Sequence, residues 1–491
     1  MCVQTVSIAC RSFIDGKYCQ AADDNQSHPN YHPANNKIIN NINYASQGDL
    51  EHAVAAAGRA FQHWSRLSVS ERGSILMRAA AILREQIAEL AEMEVWDTGK
   101  PIAEALSVDV LSAADALDYF AKTAAALTDD VIPDTKALIY STREPLGVCV
   151  GIGAWNYPLQ IACWKAAPAL ITGNTMVFKP SELTPMTTLR LAEIFIKAGM
   201  PPGVFNVVLG DGIVAQQLLS IPGIAKISFT GSVPTGKKIL QQAAQQLLPV
   251  TLELGGKSPL IIFSDADIEQ AVYGSMLANF YTQGEICSNG TRVFVARDKH
   301  DEFIENLVNK VQKLVVGNPF LHETQIGALI SRDHMQKVLN YIETGKNEGA
   351  DLVCGGDKVV TGDLKNGNFI KPAVFSNCHD EMTIVRDEIF GPVMSVLTFD
   401  DEDEVIQRAN QTQFGLAAGL FTENIKRGHR VARHLQAGIC WINNYNVTPV
   451  GMPFGGIKHS GFGRENCMTA MQQYMRQKSI YVELNSIEHP Y

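Results

Sequence analysis

Val148-Cys149-Val150-Gly151-Ile152 is a short, wholly apolar run, followed at once by Gly153-Ala154-Trp155-Asn156. Four more runs of the same kind come after it: Thr175-Met176-Val177-Phe178, Val204-Phe205-Asn206-Val207-Val208, Lys226-Ile227-Ser228-Phe229 and Val250-Thr251-Leu252-Glu253. Amphipathic stretches near 160–172, 184–198, 212–220 and 235–247 separate them. Strand–helix–strand repetition at this spacing is the signature of a parallel, doubly wound sheet. A second series begins at Leu260-Ile261-Ile262-Phe263, with Asp267 opening a helix. Strands are predicted at 292–295 and near 370–375, 393–398 and 438–442, and helices near 299–315 and 332–348. The fold class is therefore α/β, with two doubly wound parallel-sheet domains that divide near Lys257-Ser258-Pro259.

Upstream, the three-and-four spacing of apolar residues predicts a helix from Asp49 to Glu94, stopped by Asp97-Thr98-Gly99-Lys100-Pro101. A second long helix is predicted from Ile102 to Leu127, with Asp115 and Asp118 on a solvated face. Residues 1–45 read as irregular and polar, apart from a hairpin entry at Phe13-Ile14-Asp15-Gly16 and a turn at Pro33-Ala34-Asn35-Asn36. Two alternating stretches, 137–142 and 479–484, belong to neither sheet series. A lone terminal strand must pair somewhere, so 479–484 is expected to join 137–142 or another subunit.

A chain of 491 residues exceeds what one core supports, which agrees with two domains. The net charge of −10 argues against a nucleic-acid partner. No apolar run is long enough to span a bilayer, and Met1-Cys2-Val3-Gln4-Thr5 lacks the basic start of a signal peptide, so a cytoplasmic location is expected. The ten cysteines are scattered without zinc spacing and read as reduced thiols.

Among those cysteines, Cys287 stands apart. It sits in Glu285-Ile286-Cys287-Ser288-Asn289-Gly290-Thr291, among small polar residues that do not belong to a packed core. Glu253 is a lone carboxylate in an apolar strand that ends on Gly255-Gly256. Burying it is costly without a partner or a raised pKa, which marks a site as readily as a structural ion pair. A thiol and a carboxylate presented this way suit nucleophile and base. Gly151-Ile152-Gly153 begins like a dinucleotide fingerprint but lacks its third glycine, and it serves equally as a tight strand-to-helix turn. Phe229-Thr230-Gly231-Ser232-Val233-Pro234-Thr235-Gly236-Lys237-Lys238 resembles a P-loop until Lys238, which replaces the Mg²⁺-binding hydroxyl and excludes an ATPase. Its helix N-terminus, with Ser232 at or near the N-cap, suits a pyrophosphate. In Phe178-Lys179-Pro180-Ser181-Glu182, Lys179 and Glu182 are placed to share a ribose or to form a surface ion pair.

Together these stretches resemble the aldehyde dehydrogenase superfamily over essentially the whole chain. The matching blocks are Trp155-Asn156-Tyr157-Pro158, Lys179-Pro180-Ser181-Glu182, Phe229-Thr230-Gly231-Ser232, Glu253-Leu254-Gly255-Gly256-Lys257, the Cys287 block and Glu388-Ile389-Phe390-Gly391-Pro392, ending at Ser460-Gly461-Phe462-Gly463-Arg464-Glu465. Within the superfamily, the runs Gly151–Pro158 and Cys287–Val295 look closest to betaine aldehyde dehydrogenases and their trimethylaminobutyraldehyde relatives.

The resemblance implies a mechanism. Cys287 attacks the aldehyde, Asn156 and the Cys287 N–H hold the oxyanion, and Glu253 activates the water that hydrolyses the thioester. Lys165 and Glu465 match proton-relay positions, with a buried structural ion pair as the alternative. NAD is the implied cofactor, with NADP possible. Ser232, Val233, Pro234 and Thr235 would meet the pyrophosphate, and Lys179, Pro180, Ser181 and Glu182 the adenosine ribose. Glu388 would meet the nicotinamide ribose with Phe390 nearby, while Gly153, Ala154, Trp155 and Gly255 line the cleft. Tyr157, Trp164, Tyr281, Ile286 and Phe454 would surround the aldehyde. The four aromatic rings among them suit a quaternary ammonium, at ~0.5–2 kcal/mol per ring. Glu285 adds a negative charge that favours a cationic substrate or raises the thiol pKa. K⁺ would be held by Asn30, Tyr31, Leu183 and Asp97, with a second set at Leu247, Lys458 and Gly461.

The implied domains are 1–125 with 147–257 for NAD binding and 258–440 for catalysis. A return segment at 441–474 follows, with a small β oligomerisation arm at 126–146 and 475–491 that implies a homo-oligomer, a dimer or dimer of dimers. The implied reaction is NAD-dependent oxidation of betaine aldehyde to glycine betaine. An ω-aminoaldehyde or trimethylaminobutyraldehyde dehydrogenase and a non-catalytic protein of the same fold are the alternatives.

Overall fold

The computed structural model describes residues 8–20 and 27–487. Its first sheet runs Gly461–Phe462, Val250–Glu253, Ile224–Thr230, Val148–Ile152, Thr175–Lys179, Phe205–Val207, Phe13–Ile14, Lys17–Tyr18. The strands from Val250–Glu253 to Phe205–Val207 are parallel, and antiparallel pairs close both edges. The second sheet runs Asp351–Cys354, Ala373–Ser376, Val393–Phe399, Arg292–Ala296, Pro259–Ile262, Ala417–Phe421, Ile439–Ile442, and all but its first strand are parallel. The central strands Val148–Ile152, Thr175–Lys179, Arg292–Ala296 and Ala417–Phe421 are buried at every position. Helices cover both faces of each sheet, so near-continuous apolar runs replace alternation. The α/β class and the two doubly wound sheets stand as expected.

The helix predicted over Asp49–Glu94 is three helices: Gln47–Trp64, Val69–Glu85 and Ile87–Thr98. Ser68 starts the second with a capping box, in which its hydroxyl accepts from the Glu71 N–H and the Glu71 carboxylate accepts from the Ser68 N–H. The first packs Leu50, Ala53, Val54, Ala56 and Ala57 into one core, while the second and third bury Leu76, Ala79, Leu83, Leu90 and Met93 in another. Gly99, in left-handed backbone at φ 75°, stops the last one. The Ile102–Leu127 stretch is helical but interrupted by a π turn at Ala105–Asp109, which turns Glu104 and Asp109 inward beside Lys100. Asp115 and Asp118 do not simply face water, because both pair with Arg84, at 2.6 and 2.8 Å.

The described residues among the first 45 hold more strand than expected. The Asp15-Gly16 hairpin is joined by a second one, Ser27–Tyr31 with Ile38–Asn43. The Ala417–Phe421 strand, missed from the sequence, is central to the second sheet beside Pro259–Ile262. The helices Glu402–Asn410 and Ile425–His434 on either side of it were missed too. The tail strand Met475–Glu483 pairs antiparallel with Ala137–Pro145, Ser479 opposite Ser141, and Val131–Ile132 takes the other edge. Among the described residues, the cysteines are free and no helix is long and apolar enough to cross a membrane.

Candidate active site

The C-terminal ends of the parallel strands carry the site. Past Ile152 the chain leaves the first sheet, and the Gly153 N–H donates to the Lys179 carbonyl (3.0 Å). Asn156 and Tyr157 follow just before the helix Pro158–Ile171, which starts on a proline and carries Trp164 and Lys165. Glu253 ends its own strand. Cys287 lies in the loop between helix Ile268–Phe280 and strand Arg292–Ala296. That loop is pinned from several sides. The Asn289 amide donates to the Gly284 carbonyl (3.1 Å), the Ser288 hydroxyl to Asn446 Oδ1 (2.7 Å) and the Tyr445 hydroxyl to the Ser288 carbonyl (3.1 Å).

One cleft of about 750 Å³ brings the pieces together. Its walls include Cys287, Asn156, Glu253 and Glu465, and also Tyr157, Trp164, Tyr281, Ile286 and Phe454. Ala154, Trp155, Ser232, Gly255, Glu388 and Phe390 line the same space. Residues separated by more than 300 positions therefore meet in one cavity, of the size expected of a small-molecule site.

The electrostatics are those of a dry site. Both Glu253 carboxyl oxygens are buried without a hydrogen-bond partner, and the side chain is protonated to well above the ordinary carboxylate range, by burial first and by the neighbouring Glu465 second. The Cys287 thiol is pushed up to about 12, by burial first and then by Glu388 and Glu253; its own N–H and that of Ser288 oppose the shift. Glu388 rises to about 7 through burial, while the Gly256 N–H donates to it at 3.1 Å. Gly255 lets it lie close, since a Cβ would stand 1.9 Å from a Glu388 carboxyl oxygen and displace the carboxyl. The Asn156 amide donates to the Glu285 carbonyl (2.9 Å), which uses one of its two N–H groups.

Several expected residues lie off the cleft walls. Lys165 is fully buried behind them and paired with Glu465, and its ammonium also meets the Ser228 hydroxyl at 3.1 Å. Gly153, Lys179, Pro180, Ser181, Glu182, Val233, Pro234 and Thr235 are not part of the lining either. Lys179 and Glu182 are 3.8 Å apart, but Lys179 is buried and donates to the Pro180 carbonyl, so the pair is no simple surface contact. Ser232 is the N-cap of Val233–Gln245; its hydroxyl contacts Thr235 Oγ1 (3.0 Å) and leaves the helix N–H groups uncapped.

Glu285 corrects its own expectation. Its carboxyl is not among the groups lining the cleft, accepting from the Ile330 N–H and the Gln283 amide (both 3.0 Å), and the carboxylates that chiefly raise the thiol are Glu388 and Glu253 instead. Tyr157 departs from the picture of four free rings, because the Lys100 ammonium covers it, 3.9 Å from its centroid. Trp164 and Phe454 meet edge to face at 5.4 Å.

Asn30 donates to Asp97 Oδ1 (2.8 Å) and the Met186 N–H to Oδ2 (2.9 Å), with burial raising Asp97 to about 7. Leu183 is near Ser181, whose hydroxyl accepts from its N–H, and Tyr31 is exposed at a strand end. Leu247 is a 91 % exposed turn residue, the Lys458 ammonium donates to the Asn410 carbonyl, and Gly461 lies in the edge strand of the first sheet. Among the described residues there is no cluster of three or more His, Cys, Asp or Glu suited to a metal.

Sequence reasoning missed His334 and Lys337 on the cleft wall. They sit on an ordinary amphipathic helix, and no local pattern marks them. It also missed the buried group of Glu94, Lys100, Glu104 and Asp109, whose only signal was the density of charge around a helix stop.

Residues 19–480 match the model of the Aldehyde dehydrogenase family. A betaine aldehyde dehydrogenase of Vibrio vulnificus is 53% identical over 480 residues, covering 98% of this chain and 99% of its own. Betaine aldehyde dehydrogenase 1 of Rhizobium meliloti is 52% identical over 482 residues, 98% of each chain. Among solved structures, an indole-3-acetaldehyde dehydrogenase complexed with NAD⁺ superposes with a TM-score of 0.95 at 38% identity, over 98% of both chains. The aldehyde dehydrogenase KauB from Pseudomonas aeruginosa gives 0.95 at 38%, over 98% of this chain and 97% of that one. A thiol, a partnerless carboxylate and an amide on one cleft wall, in a chain similar to these proteins along nearly its whole length, leave one conclusion: the chain belongs to the aldehyde dehydrogenase family.

Proposed function

We propose that this protein oxidises betaine aldehyde to glycine betaine with NAD. The observation that carries the reading is the convergence of Cys287, Asn156 and Glu253 on one cleft, in a chain 53% identical to a betaine aldehyde dehydrogenase. The Cys287 thiol loses its proton to solvent as the sulfur bonds to the aldehyde carbon, and the carbonyl oxygen gains negative charge. The second Asn156 N–H and the Cys287 N–H stabilise that charge. The chemistry NAD supplies when bound is acceptance of the hydride, which leaves a thioester on Cys287. Glu253, in its ionised form, then takes a proton from water, the oxygen bonds to the acyl carbon, and the C–S bond breaks to release the acid and the thiolate.

Features of the chain support the fit of a dinucleotide. The uncapped N-terminus of Val233–Gln245 suits a pyrophosphate, and the bare backbone at Gly255 lets the Glu388 carboxyl lie against it. Trp155, Phe390, His334 and Lys337 line that part of the cleft, and Lys179 and Glu182 stand at the neighbouring strand end. Glu182 favours a 2′-hydroxyl over a 2′-phosphate.

Trp164, Tyr281 and Phe454 support a quaternary ammonium, each ring worth ~0.5–2 kcal/mol. Ser107, Ser112 and Asp115 also line the cleft and offer acceptors to a primary ammonium, which favours an ω-aminoaldehyde as the second reading. Steady-state kinetics on betaine aldehyde, 4-aminobutyraldehyde and propanal separate these; the highest kcat/KM on propanal would remove the cation argument.

Asp97, a buried carboxylate with only neutral donors, suits K⁺ among the Asn30, Tyr31 and Leu183 carbonyls. The Leu247, Lys458 and Gly461 set offers no such charge. We read 1–125 with 147–257 as the cofactor-binding part, 258–440 as the catalytic part and 441–474 as the return segment. Exposed Val131, Ile132, Leu138, Tyr481 and Val482 on the small sheet support oligomerisation through 126–146 and 475–491.

A further inference from the structure

Cys287 rides behind a turn that needs help to form. Thr282, Gln283 and Gly284 lie in succession in left-handed backbone, at φ 49°, 43° and 79°. The first two carry side chains that disfavour it, and such conformations persist only where the surroundings over-determine them. Two buried acids do so. Glu104 accepts from the Thr282 N–H (3.1 Å) and hydroxyl (2.9 Å) on one side. On the other, Glu285 accepts from the Ile330 N–H and from the side-chain amide of Gln283 itself, both at 3.0 Å.

Glu285 also reaches the site through its backbone. Its carbonyl is the acceptor for the Asn156 amide at 2.9 Å, across 129 residues of sequence. One N–H of that amide is thereby fixed, and the planar geometry of the group then sets the direction of the other. Beside the carboxyl, His334 Nε2 lies 3.7 Å from Glu285 Oε1 and donates to the Phe390 carbonyl at 2.7 Å. Phe390 is itself in left-handed backbone (φ 62°) and stands edge-on to Trp155.

We propose that Glu285 is a positioning residue: by anchoring its carboxyl on the Ile330 N–H it fixes its own carbonyl, and through that carbonyl aims the Asn156 amide at the oxyanion formed when Cys287 attacks. The inference rests on the oxyanion role given to Asn156 above. The anchor does not need a negative charge. Burial raises Glu285 to about 8, opposed mainly by its two hydrogen-bond donors and weakly by Lys100, so near neutrality it is largely protonated, as a glutamine would be uncharged.

The test is the pre-steady-state burst of NADH from the full-length enzyme with betaine aldehyde, for Glu285→Ala, Glu285→Gln, Asn156→Ala and the double variant Asn156→Ala/Glu285→Ala. Losing one oxyanion donor slows such a step by ~10²–10³-fold, so Asn156→Ala should do this and Glu285→Ala should reach a large part of it, about 30-fold or more. The KM for NAD should stay within about 2-fold, since uniform binding is untouched. Glu285→Gln, which keeps an acceptor for Ile330, should recover most of the rate. In the double variant the two losses should fall far short of multiplying, because a misaimed amide has little left to lose. An unchanged burst in Glu285→Ala, or losses that multiply in full, overturns the inference. If Glu285→Ala does not fold, Glu285→Asp, which withdraws the carboxyl from Ile330 by one methylene, takes its place with the same expectations. An Asn156→Ala enzyme that forms its first equivalent of NADH as fast as wild type would instead refute the reading of the site.

Discussion

Replacing Lys165 by Met should cost this protein several kcal/mol and move its pH profile. The Lys165 ammonium is fully buried between the Ser228 hydroxyl and the Glu465 carboxylate, and the Ser228 hydroxyl also donates to Glu465 at 3.1 Å. Without Lys165, Glu465 keeps one neutral donor inside the protein. Breaking a buried pair from one side costs about 3–5 kcal/mol. In a chain of this size that is a fall in Tm of about 5 °C. A second effect reaches Glu253, which Lys165 holds down and Glu465 pushes up. Deleting the cation drives Glu253 higher, so the rising limb of kcat against pH should move to higher pH. The double variant Lys165→Met/Glu465→Leu removes both charges at similar volume, and its stability should return to within about 1 kcal/mol of wild type. Its turnover then separates the two readings of the pair. If the pair only supports the fold, thioester hydrolysis recovers with the stability. If it passes protons, hydrolysis stays about 10²-fold slow in a stable protein. Thermal unfolding and kcat between about pH 5 and 10 decide this. A Lys165→Met protein that keeps both its Tm and its pH limb would refute the reasoning.

Three further outcomes are expected. Glu253→Gln should release about one equivalent of NADH per site and then stall with the acyl group on Cys287, while Cys287→Ala should give no NADH at all; rapid-mixing absorbance and intact mass check both. Burial raises Glu285 from 4.5 to about 8, so unfolding releases a proton between those values; its contribution to stability is full below about 4.5 and is lost as pH rises through about 8, at up to ~1.4 kcal/mol per unit. Glu285→Gln should therefore flatten the decline of Tm across that window. Glu182→Gln removes the charge that disfavours a 2′-phosphate, and the kcat/KM ratio of NAD to NADP should fall about 10-fold; an unchanged ratio would leave Glu182 without that role.

How much of this was legible depends on the range of the signal. Val148–Ile152, Thr175–Lys179 and Arg292–Ala296 announce themselves because strands buried on both faces are mostly apolar and rich in β-branched or aromatic residues, and that is a local property. Ala417–Phe421 is just as buried, yet Ala-Ala-Gly-Leu-Phe has no β-branched residue, and only its place beside Pro259–Ile262 makes it a strand. The single helix expected over the breaks near Ser68 and Gln86 is three, because each piece is apolar at helical spacing and periodicity does not record where the axis turns.

The sequence alone determined the two sheets and marked Cys287 and Glu253 as candidates, because a lone thiol among small polar residues and a carboxylate in an apolar strand are anomalies visible within a few positions; Asn156 entered only through the family resemblance. The tertiary structure alone decided which groups act on one another. Glu285, next but one to the thiol in sequence, turns its carboxyl to Ile330, while Glu388, 101 positions from Cys287 (388 − 287), raises the thiol's pKa. Electrostatic and hydrogen-bonding energies fall with distance in space, and the fold sets those distances.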